Sequence, residues 1–295
     1  MSRREVPAAP RLPWKKRLAA AADLAIYRTL RHAPIPVASA VGAVLGAISG
    51  AFFQKVGSAR AMAALRHIRP EATEAERRRM LAAHWRHMGR VMTEYSCLRR
   101  LLLAGRIEIS GLDALPPAGS PVVVAASHTG SWETISIAIS APGHSVAGFY
   151  EPIGNKTRLD IALGERRSLG WIGLAADDRP VRPAIRHMDA GGAFCAYVDE
   201  YVDRVVRAPR LGRDMPLNGN IRIAVRLAER TGCPLVFGSC ERIGGARFRV
   251  TFTAVPLTPG DADATVDAVE ALLDAAVRRR PEQWLQITAL RLPPA

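Results

Sequence analysis

The chain has 295 residues, 48% of them hydrophobic and 23% charged, with 41 Lys and Arg against 27 Asp and Glu and a net charge of +14. That composition excludes a disordered or collagen-like chain, and the length suits one large domain or two small ones around a sizeable core. Cys97, Cys195, Cys233 and Cys240 lie far apart with no CxxC pair, which argues against a disulfide framework or zinc knuckle and fits a reducing compartment. Only Lys15, Lys16, Lys55 and Lys156 are lysines, and every other basic residue is arginine. Ala, Gly and Pro are abundant too, so the charge reflects either biased base composition or selection for an anionic partner, nucleic acid or lipid.

The first 31 residues carry Arg3, Arg4, Arg11, Lys15, Lys16, Arg17, Arg28 and Arg31 against Glu5 and Asp23. Ala33 to Gln54 then holds no formal charge, long enough to cross most of a bilayer core. Gly42, Gly46 and Gly50 recur every fourth residue, a small-residue ridge on one helix face where a second helix can approach closely. The basic stretch is too long and the apolar one too late for a cleaved signal peptide. Basic residues on both sides (Lys55, Arg60, Arg66 and Arg69 follow) remove the asymmetry that orients a spanning helix. The expectation is an anchor that enters or lies on an anionic membrane surface; the alternative is a small-residue helix buried in the protein.

Thr73-Glu74-Ala75-Glu76 is a capping box that starts a helix. Leu81, Trp85, Met88, Met92 and Tyr95 form one apolar stripe along it, flanked by His84 and His87. That pair has no acidic or cysteine neighbour to complete a metal site, so both histidines read as structural. From residue 107 apolar runs alternate with helical segments. Strands are expected at 122–126, 146–150, 193–198 and 234–240, and Phe248–Phe252 alternates like an edge strand. Helices are expected at 131–141, 155–169 and 218–231, the last closed by Gly232. A final amphipathic helix carries Val266, Val269, Leu272, Leu273 and Val277. The fold class is α/β, a single mainly parallel sheet flanked by helices. The organisation is a membrane-associating region over 1–70, a helical lead-in over 71–106 and the α/β domain over 107–295.

The stretch Ser127-His128-Thr129-Gly130-Ser131-Trp132-Glu133 carries the chemistry. His128 directly follows a buried strand, at the end of the sheet where ligands bind in such folds. Glu133 opens the next helix, and the turn between them can fold its carboxylate towards the imidazole. A neutral imidazole is a base suited to pH 7, and a carboxylate fixes its tautomer. The pair suits deprotonation of a hydroxyl that attacks a carbonyl. The alternative is a satisfied polar pair at a strand end. No GxSxG elbow or GxxxxGK[ST] loop is present, which leaves Ser127 and Ser131 as the covalent nucleophiles to consider.

The chain resembles the bacterial lipid A biosynthesis (lauroyl/myristoyl) acyltransferase family, of the lysophospholipid acyltransferase-like superfamily. The resemblance rests on the basic apolar N-terminus, the helix with Glu94, the HTGSWE block, Asn155-Lys156, Arg166-Arg167, Val198-Asp199-Glu200, Leu227 to Gly232 with Pro234, Arg242, and Arg280-Pro281-Glu282-Gln283-Trp284-Leu285. It implies an enzyme of the inner membrane's cytoplasmic face that moves a fatty acyl chain to a hydroxyl of a lipid A precursor or similar glycolipid. The acyl donor would be an acyl carrier protein or coenzyme A thioester, with no cofactor and no metal. By the match His128 is the general base and Glu133 its partner, while backbone amides or an arginine hold the oxyanion. Asp199 and Glu200 form a second polar wall, and Arg166, Arg167 and Arg242 bind phosphate; each arginine alone also reads as a solvated surface residue. Arg204, Arg207, Arg210 and Arg213 line a loop that meets headgroups or donor, or is simply solvated.

Two features depart from the family. Glu200 follows Asp199 where glutamine is common, and Gln286, Thr288, Ala289 and Leu290 follow PEQW where an aromatic, a histidine and arginines are usual. These weaken the lipid A acceptor more than they weaken acyl transfer. The competing assignments are an acyltransferase for a lysophospholipid, another glycolipid or an amino-acid lipid, and a non-catalytic membrane-binding protein of the same fold. No zinc finger, helix-turn-helix or aromatic platform marks a nucleic-acid partner, and none is expected.

Overall fold

The computed structural model describes residues 14–150, 155–175, 181–199, 201–202 and 205–292. Arg3, Arg4 and Arg11 of the basic N-terminus, Glu200 and Arg204 lie outside the described residues. The chain begins with α1 (Trp14–Leu30), α2 (Ile35–Phe52), α3 (Lys55–Ile68), α4 (Glu74–Glu94) and α5 (Leu98–Leu103). The sheet region then runs β1 (Ile107–Ser110), β2 (Val122–Ala126), α6 (Glu133–Ser140), β3 (Val146–Tyr150), α7 (Lys156–Ser168), β4 (Ile172–Ala175), α8 (Val181–Asp189) and β5 (Ala193–Tyr197). It closes with β6 (Tyr201–Val202), β7 (Val205–Val206), α9 (Asn220–Thr231), β8 (Leu235–Gly244), β9 (Arg247–Val255) and α10 (Ala262–Arg279).

Among the described residues the strands form a seven-stranded sheet in the order β1-β9-β8-β2-β5-β3-β4, with β6 and β7 as a separate ribbon. β8, β2, β5, β3 and β4 run parallel; β9 returns antiparallel to β8, and β1 joins β9 in parallel. All five residues of β2 are buried, as a central strand with both faces covered requires. Val123, Ala125, Phe194 and Leu235 meet α3, α8, α9 and α10 on one face. Val122, Val124, Cys195 and Phe248 meet α5 and α6 on the other. The strands at β2, β3, β5 and β8 and the helices at α6, α7, α9 and α10 fall where the hydrophobic pattern places them, and Gly232 ends α9 with φ of +65°.

One reading changes. Phe248–Phe252 is not an edge strand: β9 lies between β8 and β1, and it alternates because Arg247, Arg249 and Thr253 face solvent on one side while Phe248, Val250 and Phe252 are buried on the other. The true edges, β1 and β4, are four-residue strands too short and too exposed for a pattern to mark. On α4 most of the apolar stripe is not the most buried side. The side turned fully inward carries Arg77, His84, His87, Val91 and Glu94, whereas Trp85, Met88, Met92 and Tyr95 border a cavity. His84 Nδ1 lies 3.1 Å from the Glu282 carbonyl and His87 Nε2 3.2 Å from that of Gly130, so both histidines are satisfied by backbone. Burial pushes the His84 imidazole down to about 4.

The glycine ridge of α2 packs on α4. A Cβ on Gly42 would sit 2.2 Å from Thr93 Oγ1, one on Gly46 2.1 Å from the Trp85 carbonyl, and one on Gly50 2.3 Å from the Trp85 ring. Gly89 answers from α4, where a Cβ would meet the Gly42 carbonyl at 2.0 Å. The opposite face of α2 exposes Val37, Val41, Val44, Ile48 and Phe52. α2 is thus long and apolar enough to cross a membrane, yet one side of it is committed to α4.

Candidate active site

Strand register assembles the centre. Ala126 of β2 pairs with Tyr197 of β5, so residues two beyond each, His128 and Asp199, emerge side by side at the carboxyl end of the sheet. The Asp199 carboxylate accepts the His128 amide at 2.9 Å and lies 2.9 Å from His128 Nδ1. A third donor, Trp284 Nε1, reaches it at 2.9 Å. Asp199 and Trp284 are both 0% exposed. An ionised carboxylate only accepts, so Nδ1 carries the proton and Nε2 keeps its lone pair. Nε2 has no partner among the described residues, and His128 lines the cavity.

The imidazole is also held by its neighbours' rings. Tyr197 stacks on it at 4.2 Å between centroids, and Trp132 meets it edge-on at 5.7 Å. Tyr197 in turn donates its hydroxyl proton to the Trp132 carbonyl at 2.9 Å. The PEQW segment supports the turn from below. Thr129 and Trp284 form an isolated antiparallel bridge, the Leu285 amide donates to the His128 carbonyl at 3.0 Å, and the Gly130 amide donates to Gln283 at 3.1 Å. Gly130 has φ of +58°, and a Cβ there would meet the Cys240 carbonyl at 2.6 Å, so the turn needs glycine.

Glu133 does not bond the imidazole. Arg166 Nε reaches its Oε2 at 2.9 Å, Arg166 Nη2 and the Tyr95 hydroxyl donate to Oε1, and Trp132 Nε1 lies 3.1 Å away. Burial pushes the Glu133 carboxyl up, but the Arg166 charge and hydrogen bonds and the Tyr95 hydroxyl outweigh it and hold the group below the usual carboxylate range. Burial and the Glu133 charge raise the Tyr95 hydroxyl above its ordinary value, so it stays a donor. The orienting role expected of Glu133 is geometrically that of Asp199, while Glu133 forms a second buried polar group with Arg166 and Tyr95.

His128, Glu133 and Arg166 share a cavity of about 1090 Å³. Its walls are otherwise largely apolar, with Ile26, Leu45, Met92, Phe149, Leu159 and Trp171 among them. That is at or above the upper end for a site enclosing a drug-sized molecule. Arg166 is not free for a phosphate, since Glu133 takes its guanidinium and the Trp171 ring lies 5.0 Å beneath it. Arg167 is exposed and outside the cavity, with Nε on the Leu163 carbonyl. Arg242 is buried away from the cavity in a two-bond pair with Glu94. Ser127 and Ser131 are 0% and 1% exposed and line no part of the cavity, which disfavours both as nucleophiles. In the arginine loop, Arg213 donates to the Val206, Pro209 and Arg210 carbonyls and Arg210 to Met215 and Asp267; these side chains fold the loop. Tyr197, Trp284 and Tyr95 are site residues that single-sequence reading passes over, although Trp284 stands in the PEQW block.

Comparison with individually curated proteins finds no match. A model of the bacterial lipid A biosynthesis acyltransferases, however, matches residues 10–290. That span includes the glycine ridge, the His128 turn, Asp199 and the PEQW bridge, and with it the chain belongs to the bacterial lipid A biosynthesis acyltransferase family and is an acyltransferase.

Proposed function

We propose that the protein transfers a fatty acyl group from an acyl carrier protein or coenzyme A thioester to a hydroxyl of a lipid A precursor or similar glycolipid, at the cytoplasmic face of a bacterial inner membrane. The observation that carries this reading is His128, with Nδ1 engaged by buried Asp199 and Nε2 unengaged, on the wall of a large apolar cavity. Nε2 takes the proton of the acceptor hydroxyl as its oxygen attacks the thioester carbonyl. The tetrahedral intermediate expels thiolate, which recovers that proton from the imidazolium, giving an ester and a thiol. Asp199 holds the ring and stabilises the imidazolium, and Glu133 adds negative charge without a hydrogen bond to it. At the start of α6 the Thr134 and Ile135 amides already donate to the Ser131 and Trp132 carbonyls at 2.9 and 3.0 Å, so neither serves the oxyanion. The exposed apolar face of α2, followed by Lys55 and Arg60, supports lying on an anionic membrane rather than crossing it.

A lipid acceptor other than lipid A is the second reading. Gln286, one of the departures after PEQW, lines the cavity itself, which supports this second reading. Purified protein given an acyl thioester and a membrane lipid extract tests the mechanism. His128→Ala is expected to lose at least about 100-fold in rate, and transfer at the wild-type rate would refute the assignment. Lipids from a deletion strain separate the acceptors: a lipid A lacking one secondary acyl chain supports the first reading, and loss of another acylated lipid the second.

A further inference from the structure

Behind the His128 turn lies a buried polar assembly that lines no part of the cavity. Glu94 and Arg242 pair through two parallel bonds of 2.7 Å, with side chains 0% and 8% exposed. Arg242 Nε donates to His87 Nδ1 at 3.1 Å, and His87 Nε2 lies 3.2 Å from the Gly130 carbonyl. The Gln283 side-chain amide bonds both the amide and the carbonyl of Arg242, while the Gln283 carbonyl accepts the Gly130 amide. The ring of contacts therefore closes on Gly130, two residues past His128.

An arginine has only donors, so His87 Nδ1 must accept and its proton must sit on Nε2, aimed at the Gly130 carbonyl. Burial and the Arg242 charge push His87 well below its ordinary value, so it holds this one neutral tautomer. For stability alone a buried ion pair is often no better than well-packed apolar side chains. What apolar side chains do not supply is a fixed proton.

We propose that Glu94, Arg242 and His87 are positioning residues for the reaction: Glu94 orients Arg242, Arg242 dictates the His87 tautomer, and His87 pins the Gly130 carbonyl and thereby the turn that presents His128. The inference rests on His128 being the base.

Steady-state transfer from an acyl thioester, measured across pH together with thermal unfolding, tests it in wild type, His87→Leu, His87→Gln, Arg242→Lys and His128→Ala. Leucine removes both bonds at similar volume, whereas glutamine keeps an N–H donor where Nε2 stands. His87→Leu is expected to lower kcat by about tenfold or more, as small misplacements of reacting groups do, with KM within about twofold. His87→Gln is expected to recover most of that loss. Arg242→Lys keeps the charge beside Glu94 but not the Nε–H that dictates the tautomer; it is expected to lose kcat several-fold, and it decides the matter if His87→Leu does not fold. Wild-type kcat in His87→Leu or in Arg242→Lys, or equal losses in the leucine and glutamine variants that merely follow their melting temperatures, would overturn the proposal. If His128→Ala is inactive in the same assay, that failure belongs to the positioning network alone. If His128→Ala is fully active, the base assignment falls and the network's role with it.

Discussion

The cavity has two walls built on different physics. The sheet wall, from β2, β5 and the segment around Trp284, is held by directional bonds: three donors on Asp199, a strand bridge at Thr129, and rings against two sides of the imidazole. In the helical wall, from α1, α2, α4 and α7, the glycines Gly42, Gly46 and Gly89 bring the α2 and α4 backbones together, Asp23 ties α1 to Asn155 and Arg158, and Met88, Met92 and Leu45 turn to the cavity. Directional bonds fix a reacting atom to within tenths of an ångström, which chemistry requires. A wall of methionine and leucine adapts to a flexible chain. Under the proposed function, proton transfer falls to the sheet wall and chain binding to the helical wall.

The largest effect is expected on the sheet wall, where two buried carboxylates can be set against each other. Asp199→Asn keeps the shape but replaces an acceptor-only group, so Nδ1 loses the partner that keeps Nε2 unprotonated. kcat is expected to fall about 100-fold or more, since errors of tautomer in such dyads are costly. Glu133→Gln leaves Arg166 with a weaker partner in a buried setting but does not touch the His128 ring, so its kcat is expected to fall less, with a larger loss of stability. Measuring kcat and Tm for both sharpens the comparison. The reverse order, with Glu133→Gln the more damaging to kcat and Asp199→Asn near wild type, would return the orienting role to Glu133.

How much of this was legible differs between the walls. The central strands announce themselves as runs such as Val122 to Ala126, buried on both faces, and the His128 turn is marked by a motif. Sequence distance favours Glu133, five residues on, as the neighbour of His128, whereas the imidazole hydrogen-bonds Asp199, seventy-one residues on. Only the β2–β5 register shows the second to be nearer, and register is a tertiary fact. On α4 the periodicity is real: its apolar residues line an internal cavity, and polar ones are buried because each finds a fixed partner, as Glu94 finds Arg242. Arg242 itself looked like a phosphate ligand because a guanidinium has the same fork for a carboxylate as for a phosphate. The glycine ridge, by contrast, predicted its close helix contact from spacing alone.

That ridge sets the next prediction. In Gly46→Ala the new methyl would lie 2.1 Å from the Trp85 carbonyl and 2.9 Å from Gly89 Cα, backbone atoms that cannot swing away. Overpacking of this kind costs roughly 1–3 kcal/mol, or about 2–4 °C in Tm for each kcal/mol in a chain of this size. Because Gly46 and Gly89 also border the cavity, KM for a long acyl donor should rise while kcat for a short one changes little. An unchanged Tm would mean that α2 is not held on α4 by close approach.

The outer face of α2 separates membrane contact from chemistry. Val44 and Phe52 are 59% and 70% exposed and lie outside the cavity, so replacing both with glutamate removes apolar contact and adds repulsion from an anionic surface without disturbing the core. Sedimentation with vesicles containing anionic lipid is expected to show binding weaker by about tenfold, in line with the dependence of interfacial helices on buried apolar area and surface charge. Tm and transfer between short-chain, detergent-dispersed substrates are expected to stay at wild-type values. Loss of both activities together would show that the two walls are not independent, and unaltered vesicle binding would move the membrane contact to another surface of the helical wall.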